Sequence, residues 1–293
     1  MQKQPFLSRI ETGVILVADG ATGTNLISRG LPGGLTAENW VLEQPEKIIQ
    51  LHSDFINAGA DIILTATFNA NRVHFKGTSL ESKLDEINCT AVRLTAQAIG
   101  DANIYNAGSM GPLGQLLKPL GPLSVDEAKA AYAQQAKALT TAGADLLVIE
   151  TQYDLGEVTA AVDGVREVSD LPLIVSLSYD RGKRTMMGVS PAQEGKQLSV
   201  LPVDIIGINC GRSLDENLQN LVELRQNTTK PIWFKPNAGL PHLDSQGNTT
   251  YDVSPQLMGS MVLAWLKEGA SIVGGCCGTT PDHLAQIAAQ IKH

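Results

Sequence analysis

Short apolar runs bounded by turn-forming residues begin near positions 14, 62, 103, 145, 172, 204, 231 and 271. Their apolar character is nearly continuous rather than alternating, which marks strands covered on both faces. Between these runs the apolar residues return at helical spacing. From Pro45 onward they fall at Ile48, Ile49, Leu51, His52, Phe55 and Ile56, and the same period runs through 124–141, 155–168, 214–226 and 254–267.

The punctuation repeats as well. Ala58-Gly59-Ala60-Asp61, Ala142-Gly143-Ala144-Asp145 and Glu268-Gly269-Ala270-Ser271 each lead from a helix into a strand, at separations of 84 and 126 residues, two and three times 42. A glycine ending each helix before a tight turn into a buried strand predicts a repeated βα unit. Eight alternating units without a linker close most simply into a single (β/α)8 TIM barrel of the α/β class, one domain over 1–293. A doubly wound open sheet is the alternative.

Composition narrows the function classes. With 43% hydrophobic and 18% charged residues the chain reads as a globular domain with a sizeable core. A formal charge of -8 argues against nucleic acid or anionic lipid as a partner, and no apolar run reaches the ~20 residues of a membrane span. The first nine residues lack the apolar core of a secretion signal, so the cytoplasm is the expected compartment, with reduced thiols.

A barrel gathers the ends of its strands on one face. Those ends carry Asp19, Thr67, Asn69, Ser109, Glu150, Thr151, Asn209, Cys210, Asn237, Cys276 and Cys277. Gly274, Gly275 and Gly278 let the chain bend around the adjacent thiols, and Thr279-Thr280-Pro281-Asp282 then opens a helix. If the two cysteine-bearing tips lie side by side, three thiolates suit a zinc ion with one position open, ready to lower the pKa of an incoming thiol. The competing reading is three buried small residues. Cys89 lies in a helical pattern and is expected to be structural. The five histidines form no rival set: His52 and His74 stand apart from any second ligand, His242 is placed in a loop, His283 on the last helix, and His293 at the terminus.

Asp19-Gly20-Ala21-Thr22-Gly23-Thr24 offers a carboxylate and free backbone N–H groups. With Glu150, Asp19 would accept a substrate ammonium, while the N–H groups of Gly20, Ala21 and Thr22 would take a carboxylate. Thr67, Ser109, Asn209 and Asn237 complete the expected substrate-binding rim. Helix capping or a salt bridge is the plainer role for the two acids. A phosphate-binding barrel is a different reading of Gly274-Gly275 and the helix N-terminus that follows, and predicts an anion at Thr279 and Thr280 and no metal.

These residues resemble a known family. Asp19 to Thr24, Thr67-Phe68-Asn69-Ala70, Glu150-Thr151, Gly207-Ile208-Asn209-Cys210, Pro236-Asn237-Ala238-Gly239-Leu240-Pro241 and Gly274-Gly275-Cys276-Cys277-Gly278-Thr279-Thr280-Pro281 are similar to motifs of the homocysteine S-methyltransferases, most of all the homocysteine module of cobalamin-dependent methionine synthase. The resemblance implies a barrel in which Cys210, Cys276 and Cys277 bind Zn2+, homocysteine sulfur becomes the fourth ligand and methionine is the product. Asn237 would hold the open metal position before substrate arrives. Gly278 stands where relatives using S-methylmethionine commonly carry arginine. These 293 residues contain no Asp-x-His-x-x-Gly cobalamin fingerprint. The implied donor is therefore methylcobalamin or another methylcorrinoid held by a separate protein. S-methylmethionine, another small donor, or a non-catalytic homocysteine- and zinc-binding module are the alternatives.

Overall fold

The computed structural model of the chain describes residues 3–244 and 249–292. Eight parallel strands form the sheet: β1 (Leu16–Val17), β2 (Ile62–Leu64), β3 (Tyr105–Met110), β4 (Leu146–Gln152), β5 (Leu173–Leu177), β6 (Ile205–Cys210), β7 (Ile232–Pro236) and β8 (Ala270–Val273). Their order is β1-β8-β7-β6-β5-β4-β3-β2, and one parallel bridge between Ala18 and Ile62 joins the two ends. The chain is a (β/α)8 barrel. Its outer helices include Pro45–Asn57, Leu84–Ile99, Val125–Thr141, Leu155–Arg166, Leu214–Arg225, Pro255–Lys267 and Pro281–Ile291. The helix Pro191–Val200, which the apolar period did not single out, fills the remaining place.

Local chemistry sets these boundaries. Ser124, Ser190, Ser213 and Ser254 each accept an N–H of the first helical turn, as does Asp154. The repeated glycines Gly59, Gly143 and Gly269 have φ of 103°, 100° and 95°, a left-handed conformation that glycine adopts without a Cβ penalty. Ala60 N–H then reaches back to Phe55 O, and Ala144 N–H to Leu139 O, closing each helix before the next strand.

The residue after that turn has a second task at the barrel floor. Asp61 accepts the Val17 N–H at 2.9 Å, Asp145 that of Asn106 at 2.6 Å and Asp204 that of Leu173 at 2.8 Å, with Ser271 Oγ 3.4 Å from Ile232 N. Every even strand thus begins with a side chain stitched to the odd strand before it. Cations cover the acids: Arg9 and Lys292 meet Asp61, Lys3 meets Asp145, and Arg166 meets Asp204.

Inside the barrel Leu16, Ile62, Tyr105, Leu146, Ile174, Ile205, Trp233 and Ile272 form one apolar cluster, separate from the larger one between sheet and helices. A short helix, Phe6–Glu11, plugs the floor, with Phe6 edge-on to Tyr105 at 5.1 Å between ring centroids. That leaves the opposite mouth open, where the interior turns polar. Among the described residues no helix is long and apolar enough to cross a membrane.

Candidate metal centre and substrate cavity

Cys210 is the last residue of β6 and has φ +60°, as Thr151 near the end of β4 has φ +61°. Left-handed backbone is rare outside glycine, asparagine and aspartate, and here it turns the strand tips sharply. The Asn209 side chain supports both. Its Oδ1 accepts the Thr151 N–H at 2.8 Å and the Ser176 hydroxyl at 2.5 Å. Its Nδ2 donates to Thr151 Oγ1 at 2.7 Å and lies 3.4 and 3.7 Å from the sulfurs of Cys210 and Cys276.

The loop carrying Cys276 and Cys277 is sewn to its neighbours by backbone bonds. Gly274 N–H meets Phe234 O, Gly275 N–H meets Asp19 O, Cys276 N–H meets Pro236 O, and Cys277 O receives the Ala238 N–H. A Cβ on Gly274 would stand 2.6 Å from Ala18 O, so this close approach excludes any larger residue. The three Sγ atoms consequently lie within 4.8 Å of one another, with Cys210 and Cys276 3.0 Å apart.

Three thiols this close cannot each hold a negative charge. Hydrogen bonds from Cys210 and Cys276 pull Cys277 down to about 3. At Cys276 the bond to Cys210 works to lower the pKa, but Cys277 and burial outweigh it and push the thiol up to about 12. The bonds to Cys276 and Cys277, followed by burial, raise Cys210 well above its ordinary value. The three thiols share their protons, a soft donor set that a divalent ion would deprotonate fully. Asn237 is tied to the same tip: its N–H donates to Cys210 O, its Nδ2 to Gly211 O, and its buried Oδ1 has no hydrogen-bond partner among the described residues. An orphaned buried oxygen on a residue whose backbone is bonded to Cys210 O fits a metal site. Tyr251 lies against Gly278, where a Cβ would come within 2.3 Å of its ring.

Next to the sulfurs a cavity of about 410 Å³ opens, walled by the Gly20 to Thr24 loop, Glu38, Thr65, Phe68, Ser109, Glu150 and Lys235. Ser109 donates to Glu150 Oε1 at 2.5 Å. Burial raises the Glu150 carboxyl to about 7, with Lys235 opposing and Cys276 reinforcing. Asp19 is not the free acceptor expected of it. Its Oδ1 holds Lys235 Nζ at 2.6 Å, its Oδ2 takes the Leu64 N–H at 2.8 Å, and the pair is 1% and 3% exposed. Burial lifts the Asp19 carboxyl, against Lys235. Burial also draws Lys235 down, but Asp19 and Glu150 outweigh it and keep the ammonium above its ordinary value.

Other expectations shift in detail. Gly20, Ala21 and Thr22 line the cavity, yet the Ala21 N–H is spent on the carbonyl and hydroxyl of Thr279. Thr67 does not reach the cavity: its hydroxyl is buried against Ser109 O at 2.7 Å, and Thr65 stands on the wall instead. Asn209 lies behind the sulfurs, off the cavity wall. The phosphate cup is not built, because the Thr279 N–H and hydroxyl both turn to Cys276 O and the Thr280 hydroxyl meets His283. His242 sits on a hairpin strand, Pro241–Leu243, paired with Thr249–Tyr251. His283 caps the last helix as expected to lie on it, Cys89 lies on Leu84–Ile99, and His293 falls outside the described residues. Sequence reading missed Lys235, Thr65 and Glu38. Lys235 shares the inward face of β7 with Trp233, two positions earlier, which was the available signal.

Fold and site together define a barrel with a sulfur-donor centre at its mouth. The sequence profile of the homocysteine S-methyltransferase family matches residues 16–291. Methionine synthase of Mycobacterium leprae (strain TN) is 31% identical over 294 residues, covering 94% of this chain and 24% of the relative. The Mycobacterium tuberculosis (strain ATCC 25618 / H37Rv) methionine synthase is also 31% identical, covering 95% of this chain. The chain spans about a quarter of the length of these relatives. Homocysteine methyltransferase MmuM from Escherichia coli, solved in a metallated form, superposes with a TM-score of 0.83 at 26% identity, covering 98% of this chain and all of that one. The chain belongs to the homocysteine S-methyltransferase family.

Proposed function

We propose that this domain binds zinc through Cys210, Cys276 and Cys277 and methylates the thiol of homocysteine to give methionine. The observation that carries the reading is the meeting of three sulfurs within 4.8 Å beside a cavity of amino-acid size. Zinc held there would supply a Lewis acid that takes a thiol as fourth ligand and keeps it ionised at neutral pH.

The chain's own groups bind and aim. Glu150, steadied by Ser109, accepts the substrate ammonium, while Asp19 acts through Lys235. The N–H groups of Gly20 and Thr22 face the substrate carboxylate. Asn237 Oδ1 would hold the position on the metal that a thiol can take. Asn209 donates toward two of the sulfurs and keeps them in register. The substrate sulfur then forms its bond to the methyl carbon in line, and the bond to the donor breaks with its electron pair left on the donor. Holding the two reactants in line supplies much of the rate.

The mouth is open and apolar at its edge, with Ile27 and Leu35 exposed, which suits a bulky methylcorrinoid presented by a separate protein. Elemental analysis and donor-by-donor assays test the proposal. Wild type is expected to hold one zinc per chain and to form methionine from methylcobalamin, whereas Cys276→Ala loses both. Unchanged zinc in that variant sinks the metal assignment. Turnover with S-methylmethionine alone reverses the donor, and binding of homocysteine without turnover by any donor makes the domain a carrier.

A further inference from the structure

Resting on the homocysteine reading above, we infer that Lys235 is the anchor for the substrate's α-carboxylate and that Asp19 holds it in place. Lys235 projects from β7 into the cavity wall and is 3% exposed. An ammonium buried that deeply persists only when paired, and its pair is Asp19 Oδ1 at 2.6 Å. The group has three N–H donors, and among the described residues this is the one hydrogen bond it makes. The face of Trp233, 5.3 Å from Nζ, supports it from below.

The charges around the cavity give those unused donors a ligand. The wall presents Glu38, Glu150 and three sulfurs, and Lys235 is its one cation among the described residues. A second ammonium has Glu150 to meet. A carboxylate brought into the same space meets its one opposite charge among the described residues at Lys235. The backbone points the same way: Gly20 follows Asp19 directly, so the N–H groups left open by the Ala21–Thr279 contact adjoin the Asp19–Lys235 pair. A purely structural ion pair would instead plug the barrel and ignore which end of the substrate carries charge.

Three thiols separate the possibilities: homocysteine, 4-mercaptobutanoate, which lacks the amine, and 3-aminopropane-1-thiol, which lacks the carboxylate. Each is titrated calorimetrically into zinc-loaded protein. Lys235→Met is expected to weaken the first two by about 10- to 100-fold, the loss of a charge-assisted hydrogen bond, and to leave the third unchanged. Because that variant strands the Asp19 charge in the barrel, the double variant Asp19→Asn, Lys235→Met, with neither charge left, carries the same expectation. Equal weakening of all three thiols, or no change in any, overturns the inference. Wild-type protein that binds none of them overturns the substrate reading itself, which is a different result.

Discussion

Glu150 shows what burial does to a single residue. Its carboxyl is raised to about 7 from an ordinary 4.5, chiefly by loss of water. A carboxyl raised on folding makes its ionisation a cost: in the metal-free chain the penalty is absent below about 4.5, grows as the pH climbs, and is complete above about 7. On the function proposed above, an arriving ammonium would offset it. The preference for homocysteine over 4-mercaptobutanoate, which differ at the amine, is therefore expected to rise between pH 6 and 8 and to flatten in Glu150→Gln; a wild-type ratio that stays level across that range contradicts the assignment. Asn209 makes the complementary case. Replacing it with alanine removes the amide that donates toward two sulfurs, and zinc affinity measured by chelator competition is expected to fall about 10- to 100-fold.

At the scale of elements, the stitches between strands define a floor independent of the mouth. Asp61→Ala removes the acceptor for the Val17 N–H and strands Arg9 and Lys292, so a loss of about 2–3 kcal/mol in urea unfolding is expected, with zinc content unchanged. The starts of β2, β4 and β8 were legible because a helix-ending glycine and an apolar run coincide there. Strand ends were less so. β3 continues to Met110 and β4 to Gln152, through the polar Ser109, Glu150 and Thr151, because the barrel interior turns polar toward its mouth. Thr67 turns away from the cavity wall that Thr65 lines, because β2 stops at Leu64 and side-chain parity no longer holds that far past it. The plug helix Phe6–Glu11 was invisible, being six residues long and too short to show a period. The cysteines were plain from adjacency and position. Lys235 was hidden inside an apolar run, where its charge reads as the end of a strand.

The whole molecule has two ends with separate duties. The plug, the acid stitches and their cations close one; the sulfurs, Glu150 and Lys235 occupy the other. Phe6→Ala, which empties a buried aromatic site against Tyr105, is expected to cost about 3–5 kcal/mol on chemical denaturation and to leave thiol affinity intact. A parallel loss of affinity would show that the two ends are mechanically joined. Along the side of the cylinder, β1 and β2 share a lone backbone bridge, and the next rung is the Asp19 carboxylate taking the Leu64 N–H. The clasp of this tube is therefore also the residue that steadies the lysine at its mouth. A guest bound at the lysine is therefore expected to be felt at this clasp, as a change in amide exchange at Leu64.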